Sequence, residues 1–323
     1  MSAKMKIGIL TSGGDAPGMN AAIRAIVRAG ETKNIRSFGV RRGFEGLLKN
    51  DMFEMNLRTV SDVIQRGGTF LFSSRCAEFK TKLGTKKAAE NCKKAGLDAL
   101  IIIGGDGSLK GAKFLSKEGI NCIFIPGTID NDVASTEYTI GFDTATNTAM
   151  EMIDKIRDTA QSHEKCSVVE VMGRRCGDIA LHTGIAVGAT AILVPEVAFD
   201  FEKDVIERIK NTQRKGKRHF IVVASEGLGI VTKISKEINL KTGINTHFTV
   251  LGHVQRGGSP TLKDRLAAAR MSCRAVEIIA AGEKNRAIVM KSDEILDMSL
   301  DESCETAKKF DFDLYQKALE VSI

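Results

Sequence analysis

The sequence predicts a doubly wound α/β protein with two similar, Rossmann-like lobes and a functional site in the cleft between them. Apolar runs rich in valine, isoleucine and leucine recur along the chain with helix-like segments between them, as expected for parallel strands covered on both faces. Each half of the chain has four strong strand candidates, and 323 residues are enough for two cores. We expect one lobe at 1–141 plus 255–304 and a second at 142–254 plus 305–323.

Strands are predicted where short apolar runs end at glycine, proline or polar residues. The run ALIII at 99–103 precedes Gly-Gly, and CIFI at 122–125 precedes Pro126 and Gly127. The predicted strands are 6–10, 99–103, 122–125, 167–171, 192–194, 220–224, 248–251 and 287–290. Helices are predicted in the intervals, at 19–31, 86–94, 108–118, 144–161, 203–215, 262–280 and 305–321.

The composition is that of an ordinary globular protein, with 43% hydrophobic and 27% charged residues. The seven cysteines include no C-x-x-C pair, which argues against a disulfide framework or a thiolate metal site and favours a reducing compartment. The first predicted strand begins without a preceding apolar signal region, and no stretch approaches the ~18 apolar residues of a membrane span. We expect a cytoplasmic enzyme.

The net charge of +7 leaves three interpretations open. Nucleic-acid binding is disfavoured because the basic residues are scattered and aromatic residues make up only 5% of the chain. A site for small polyanions such as phosphates is a second interpretation, and a solvated basic surface is the third. Charge alone does not decide between them.

Three strand ends carry related glycine- and acid-rich loops. Gly-Gly pairs permit backbone conformations barred to other residues, and the helix that follows attracts phosphate oxygens at its amino end. A single such loop could equally be a tight turn. The chain contains neither the G-x-x-x-x-G-K-[ST] phosphate loop nor a dinucleotide fingerprint, so the three loops predict a nucleotide or phosphate site of another design. They are LTSGGDAPGMN at 10–20, IIIGGDGSLKG at 102–111 and IPGTIDND at 125–132.

The aspartates of these loops suggest a division of labour in phosphoryl transfer. Asp106, beside glycine amides, is suited to hold Mg²⁺ on a polyphosphate; the alternative is that it caps the helix that follows. Asp130 is suited to accept the proton of an alcohol as the phosphoryl group is transferred. Asp132 would orient the loop or a metal-bound water, and Thr128 adds a hydroxyl beside the reacting groups.

Beyond these loops, the chain resembles the bacterial type of ATP-dependent 6-phosphofructokinases over nearly its whole length. The further motifs that carry the resemblance are RGGTFLFSSRCAEF at 66–79, IGFDTA at 140–145, KIRDTAQSHE at 155–164, VVEVMGRRCGD at 168–178 and VLGHVQRGGSP at 250–260.

The resemblance implies the glycolytic reaction of ATP with fructose-6-phosphate to give ADP and fructose-1,6-bisphosphate, by direct in-line transfer with Mg²⁺. It implies ATP on the first lobe, sugar phosphate on the second, and a homotetramer whose neighbouring chains complete the sugar and effector sites. The effectors would be ADP or phosphoenolpyruvate. We expect neither nucleic acid nor membrane as a partner.

The resemblance also assigns roles residue by residue. The catalytic residues would be Gly13, Arg75, Thr128, Asp130, Asp132 and Arg174. ATP would contact Gly13, Phe44, Arg75, Cys76, Gly105, Asp106, Gly107 and Ser108, with Asp106 reaching the metal. The sugar phosphate would contact Thr128, Ile129, Asp130, Lys165, Met172, Gly173, Arg174, Glu226, His247, His253 and Arg256. The effector would contact Arg24, Arg28, Arg157, Thr190, Lys215 and Lys217. Without the resemblance, the cationic residues of the effector site could equally belong to a solvated surface. Met172, Phe44 and His253 could then be core residues.

Three rival functions are weighed against this interpretation. Pyrophosphate-dependent relatives carry aspartate at the position of Gly107 and lysine at that of Gly127, so glycine at both favours ATP. NAD and lipid kinases share GGDG(S/T) but not PGTIDND or MGRRCGD. A non-catalytic homologue is expected to lose Asp106, Asp130 or Arg174, and all three are present.

The chain departs from the family pattern at three positions. Lys165 and His247 stand where the family has two arginines that reach the 6-phosphate from a neighbouring subunit. Lysine lacks the planar two-point grip of arginine, and histidine, with a reference pKa near ~6.5, is mostly neutral at pH 7. Thr190 replaces an acidic residue that helps to hold the effector's magnesium. We expect weaker, pH-dependent sugar-phosphate binding and blunted activation by ADP.

Overall fold

The computed structural model of the protein describes residues 4–322 and divides them into two compact units. The first unit contains the chain up to Ile129, Val133–Thr144 and Arg256–Lys308. The second unit contains Asp130–Asp132, Ala145–Gln255 and the chain from Lys309 onward. The chain therefore enters the second unit at Asp130–Asp132 and again at Ala145–Gln255, returns to the first unit each time, and ends in the second.

The first unit is built on a seven-stranded sheet with the strand order β11-β10-β5-β4-β1-β2-β3. The five central strands are parallel, whereas β3 and β11 join the two edges in antiparallel orientation. The strands of this sheet are β1 (Lys6–Ser12), β2 (Arg36–Val40), β3 (Met52–Met55), β4 (Ala99–Gly104), β5 (Cys122–Pro126), β10 (Arg286–Lys291) and β11 (Glu294–Ser299).

Helices cover both faces of this sheet. Leu100 and Ile102 of β4 pack in one cluster with the second, third and fourth helices, while Ile101 and Ile103 point the other way and are equally buried. On that opposite side the first and ninth helices pack against each other. The helices of the first unit are α1 (Met19–Thr32), α2 (Phe44–Lys49), α3 (Lys82–Lys94), α4 (Asp106–Lys117), α9 (Leu262–Ala280) and α10 (Leu300–Glu305).

The second unit contains a four-stranded, wholly parallel sheet with the strand order β7-β8-β6-β9. Its strands are β6 (Cys166–Val171), β7 (Ala191–Leu193), β8 (Phe220–Ser225) and β9 (Thr246–Val250). Its helices are α6 (Asp178–Ala186), α7 (Arg208–Arg214), α8 (Val231–Thr242) and α11 (Phe312–Val321), and a π-helical turn at Glu202–Glu207 leads into α7. Helix α5 (Phe142–Ser162) begins in the first unit and continues into the second.

The predicted doubly wound α/β fold is confirmed: both sheets consist mainly of parallel strands, and helices cover both faces of the first sheet. The prediction of one helix at 305–321 is wrong in its first part. Helix α10 ends at Glu305, and α11 begins only at Phe312, where the Asp311 carboxylate accepts a hydrogen bond from Leu314 N at 2.8 Å and caps the new helix. Over residues 4–322, no helix is both long enough and apolar enough to cross a membrane.

Candidate active site

The first two glycine loops lie at the carboxyl ends of adjacent parallel strands. β1 ends at Ser12 and β4 at Gly104, and these two residues are partners in the sheet. Gly13 has φ +87°, a backbone conformation that favours glycine, and its carbonyl accepts a hydrogen bond from Ser73 Oγ. A Cβ at Gly104 would collide with Ser108 and with the carbonyl of Ser12. Both loops are therefore tight turns at the same sheet edge.

Asp106 occupies the first turn of α4, and the alternative prediction that it caps this helix is wrong. The cap residue is Gly105, which makes no side-chain capping bond. The Asp106 side chain is 43% exposed, and its Oδ2 accepts a hydrogen bond from Lys110 Nζ at 2.6 Å. Its carboxylate therefore remains accessible beside the amino end of a helix. The helix dipole favours negative charge there, including that of a ligand's phosphate groups.

Gly107 and Gly127 are glycines for different reasons. A Cβ built at Gly107 meets no atom within 4 Å, and its backbone is not in the left-handed region. A Cβ at Gly127 would lie 2.8 Å from Ile103 Cγ2. Packing thus accounts for the glycine at 127, whereas nothing in the protein itself requires one at 107.

Phe44 is largely enclosed by the first unit's core. Its side chain is 7% exposed, and its ring stacks on Phe79 with centroids 4.0 Å apart and planes 9° apart. A Cβ at Gly111 would collide with the same ring. Cys76 packs against this cluster while Arg75 is exposed. The packing interpretation of Phe44 is thus supported, and its contact with a nucleotide stays a prediction.

The third loop leaves β5 with its backbone fixed from two sides. Gly127 N donates to Gly104 O at 2.9 Å, which ties the loop to the end of β4. Ile140 N donates to Pro126 O at 3.0 Å, and Thr139 Oγ1 donates to Thr128 O at 2.6 Å. Thr128 and Ile129 are both buried. The segment that carries the predicted catalytic aspartate therefore has a defined backbone before it enters the second unit.

In the second unit, Asp130 and Arg174 form a close ion pair. Arg174 Nε lies 3.1 Å from Asp130 Oδ2, and Arg174 Nη1 lies 3.8 Å from Asp132 Oδ2. The Asp130 side chain is 1% exposed, whereas that of Arg174 is 52% exposed. Arg174 also has φ +54°, a left-handed conformation that is uncommon for a long side chain and is found disproportionately at functional sites.

Glu226 shapes the backbone that presents Arg174. Its Oε1 accepts hydrogen bonds from Gly173 N at 3.2 Å and from Arg174 N at 2.8 Å. Gly173 has φ +136°, which only glycine adopts readily. The predicted residues Gly173, Arg174 and Glu226 therefore form one connected group with Asp130 and Asp132.

Two buried residues of this group were not predicted. Gln255 Oε1 accepts a hydrogen bond from Met172 N at 2.9 Å, and Asp178 Oδ2 accepts one from Asn131 Nδ2 at 2.8 Å. Both lie within motifs singled out from the sequence, at 250–260 and 168–178. Met172 is buried, but His253 is exposed. The alternative reading of His253 as a core histidine is therefore wrong.

Lys165 and His247 lie at the opposite end of the second sheet from this group. Lys165 directly precedes β6, and His247 is paired with Ser167 at the start of β9. Met172 directly follows β6 at its other end. At about 3.3 Å per residue, the strand separates the two ends by roughly 20 Å. Within one chain, these two basic residues are thus apart from Met172 and Arg174.

Arg256 belongs to the first unit and lies against the first glycine loop. Its Nη1 donates a hydrogen bond to Asp15 O at 3.2 Å, and a Cβ at Gly14 would collide with its guanidinium. The position of the Arg256 guanidinium therefore explains why residue 14 is a glycine, because a side chain there would collide with it.

The predicted effector residues of the second unit include a small cationic group. Lys217 Nζ donates to the hydroxyl of the fully buried Thr190 at 3.3 Å. Burial and the nearby Arg157 lower the pKa of Lys217. Burial, with Arg157 and Lys217, also lowers the pKa of His219, which the sequence did not single out. Lys215 is exposed, and Arg24 and Arg28 lie one turn apart on α1 of the first unit.

Glycine-rich loops at the ends of parallel strands place the protein among the doubly wound α/β proteins whose strand-end loops form ligand sites. A family model described as Phosphofructokinase matches residues 6–279. The chain belongs to the phosphofructokinase family.

The chain is 52% identical over 316 residues to an ATP-dependent 6-phosphofructokinase of Clostridium botulinum (strain Loch Maree / Type A3), covering 98% of this chain and 99% of that protein. It is 52% identical over 317 residues, with the same coverage, to an ATP-dependent 6-phosphofructokinase of Clostridioides difficile (strain 630). The crystal structure of Pichia pastoris phosphofructokinase in the T-state matches with a TM-score of 0.89 at 34% identity, covering 100% of this chain and 38% of that one.

Proposed function

We propose that this protein transfers the γ-phosphoryl group of ATP to the 1-hydroxyl of fructose-6-phosphate, giving ADP and fructose-1,6-bisphosphate. The observation that carries the proposal is the buried Asp130 carboxylate, 3.1 Å from the Arg174 guanidinium at the loop that follows β5. The near full-length identity to ATP-dependent 6-phosphofructokinases supports ATP as the donor.

In this proposal the first unit binds the nucleotide. The backbone amides at the start of α4 and the loop at Gly13 are suited to phosphate oxygens, because amide groups and the helix dipole both favour negative charge there. The open space over Gly107 leaves room for a phosphate to approach the backbone. Arg75, which is exposed, would neutralise charge on the transferred group. Gly105, Cys76, Ser108 and Phe44 would complete the surroundings of the nucleotide.

The donor set also fits Mg²⁺. Asp106 offers one accessible carboxylate, and the described residues include no cluster of three or more acidic, histidine or cysteine side chains that would form a complete metal site. Magnesium commonly takes one or two carboxylates and fills the rest of its coordination with phosphate oxygens and water. When bound, the ion would neutralise charge on the phosphates.

Asp130 and Arg174 divide the chemistry at the acceptor. The 1-hydroxyl oxygen attacks the γ-phosphorus, the bond to the β-phosphate oxygen breaks, and the hydroxyl proton passes to Asp130. Arg174 stabilises the negative charge that develops and holds the carboxylate in place. Thr128 would place its hydroxyl beside the reacting groups, and Asp132 would orient the loop or a metal-bound water. The sugar phosphate would be held by Ile129, Met172, Gly173, Glu226, His253 and Arg256.

Lys165 and His247 would bind the 6-phosphate in a neighbouring subunit of a homotetramer. The proposal is supported by their position at the amino ends of β6 and β9, away from Met172 of the same chain. An effector site with ADP or phosphoenolpyruvate as ligand would use Arg24, Arg28, Arg157, Thr190, Lys215 and Lys217 in the same assembly.

Pyrophosphate is the competing phosphoryl donor. An aspartate in place of Gly107 would repel and crowd a nucleotide's α-phosphate, and the glycine leaves that space open. Gly127 is a weaker argument, because packing against Ile103 already accounts for it. Of the two glycines, Gly107 is therefore the one that adds to the support for ATP given by the related sequences.

The deciding experiment offers purified protein fructose-6-phosphate with either ATP or pyrophosphate and measures fructose-1,6-bisphosphate. We expect turnover with ATP and Mg²⁺, and at least 100-fold less with pyrophosphate. Gly107→Asp should raise the KM for ATP strongly while the protein stays folded. Turnover with pyrophosphate alone, or with neither donor, would overturn the proposed function.

A further inference from the structure

A carboxylate outside the proposed catalytic group is held by four hydrogen bonds. Asp264 lies in the first turn of α9 and has no exposed surface. Its Oδ1 accepts from Tyr138 Oη at 2.5 Å and from Gly141 N at 2.7 Å. Its Oδ2 accepts from Thr144 N at 2.8 Å and from Thr144 Oγ1 at 2.5 Å.

Each oxygen of the Asp264 carboxylate accepts one hydrogen bond from a backbone N–H and one from a hydroxyl. Burial raises the pKa of Asp264, and the four hydrogen bonds work against that rise. The same group extends back to α9, because Thr261 N donates to Thr144 Oγ1 at 3.0 Å. A buried polar network whose members all have hydrogen-bond partners specifies one local conformation.

The residues that donate hydrogen bonds to Asp264 belong to one short segment, 138–144. This segment lies along the loop that follows β5. Its Ile140 N donates to Pro126 O, and its Thr139 Oγ1 donates to Thr128 O at 2.6 Å. Gly127 and Ile140 also form a parallel bridge. The backbone around Thr128 is therefore set by a segment whose own position is set by Asp264.

We propose that Asp264 is a positioning residue for phosphoryl transfer: through segment 138–144 it fixes the backbone of Thr128 and so the placement of Asp130, two residues further along. The expected effect on turnover rests on the proposed function. The control of the Thr128 backbone by segment 138–144 does not depend on it. A misplacement of about 1 Å at a reacting group can cost ~100-fold in rate, so a small shift in this segment should be visible in kcat.

Two substitutions break the contacts to different degrees. Tyr138→Phe removes one hydrogen bond and keeps the ring. Asp264→Asn keeps the shape, but either orientation of the amide turns its NH₂ group towards a backbone N–H, of Gly141 or of Thr144, which can only donate. We expect kcat to fall about 10-fold in Tyr138→Phe and about 100-fold in Asp264→Asn, with the KM for ATP within about 2-fold of wild type.

Asp297→Asn is the matched control. Asp297 lies on β11 of the same unit, has little exposed surface, and pairs with Arg274 and Arg286 at 2.6 Å each. Its substitution also removes charged contacts but leaves segment 138–144 untouched. We expect Asp297→Asn to lower the melting temperature while kcat stays at the wild-type value.

Amide hydrogen exchange of a peptide covering 126–132 gives a readout that does not depend on activity. Exchange should quicken in Tyr138→Phe and Asp264→Asn and remain unchanged in Asp297→Asn. If both variants lose thermal stability but keep wild-type kcat and exchange, the proposal is overturned. If Asp264→Asn does not fold, Tyr138→Phe decides. An inactive wild type with the expected exchange pattern would instead refute the proposed function and leave the positioning role standing.

Discussion

Arg174 Nε lies 3.1 Å from Asp130 Oδ2, and the Asp130 side chain is buried while the Arg174 side chain is half exposed. A buried charge is costly unless it is paired, and removing one partner of such a pair leaves the other uncompensated. The exposed part of Arg174 remains accessible to a ligand. The pair thus combines a fixed carboxylate with a cation that can still meet substrate.

Substitution of Asp130 should abolish most of the proposed turnover. A positioned general base contributes roughly 10²–10⁴ in rate, so Asp130→Ser should lower kcat by that factor. The KM for ATP should change little, because the proposed nucleotide contacts lie elsewhere in the chain. Steady-state kinetics measure both, with Asp313→Ser, an exposed acid on α11, as control. Half of the wild-type activity in Asp130→Ser would require another base.

Replacement of His247 should change how tightly sugar phosphate binds. The planar guanidinium of arginine donates to a phosphate at two points, which an imidazole ring does not do. The KM for fructose-6-phosphate, measured at pH 7.5, should therefore be lower in His247→Arg than in wild type, while the KM for ATP stays the same. Equal KM values for fructose-6-phosphate in the two proteins would end this interpretation.

The effector response should be weak in wild type and gain strength in a Thr190 variant. We expect ADP to shift the half-saturating fructose-6-phosphate concentration by less than about 2-fold, because Thr190 supplies no carboxylate for the effector's metal. Glutamate at 190 would lie beside Lys217, which now bonds the threonine hydroxyl. Thr190→Glu should therefore restore a several-fold response, whereas the uncharged Thr190→Gln should not. A large ADP response in wild type would contradict the prediction.

His219 should make the folded state less stable as the pH falls. Burial, Arg157 and Lys217 lower its pKa in the folded protein, so the unfolded chain binds the proton more readily. The free energy of unfolding should thus decrease as the pH drops below ~6.5, the ordinary histidine value. Urea unfolding at pH 5 to 8 should show this dependence in wild type and a flatter one in His219→Gln. If the free energy of unfolding depends on pH equally in wild type and His219→Gln, groups other than His219 cause the effect.

The sequence predicted best those elements that are buried on both faces. β4 and β8 are continuous apolar runs and were located within one residue of their observed bounds. The strands β2, β3 and β11 were missed because they are short or lie at sheet edges, where polar residues alternate with apolar ones. Helix α6 was missed because it is buried almost all round and has no polar face to reveal its period.

The site divides in the same way. Glycine loops at strand ends are a local pattern and could be read from the chain. The bonds from Met172 N to Gln255 and from Tyr138 to Asp264 join residues 83 and 126 positions apart. No periodicity or spacing links such residues, because their meeting depends on how the strands and helices pack. The same holds for the burial of Phe44 against Phe79.

The separation of Lys165 from Met172 by the length of β6 affects how activity should be measured. If Lys165 and His247 of one chain bind the sugar phosphate at the site of another chain, catalytic efficiency depends on the protein concentration. Dilution below the level at which subunits remain associated should raise the half-saturating sugar phosphate concentration before it affects the use of nucleotide. Mixing two inactive chains, one altered at 130 and the other at 165 and 247, should regenerate some competent sites.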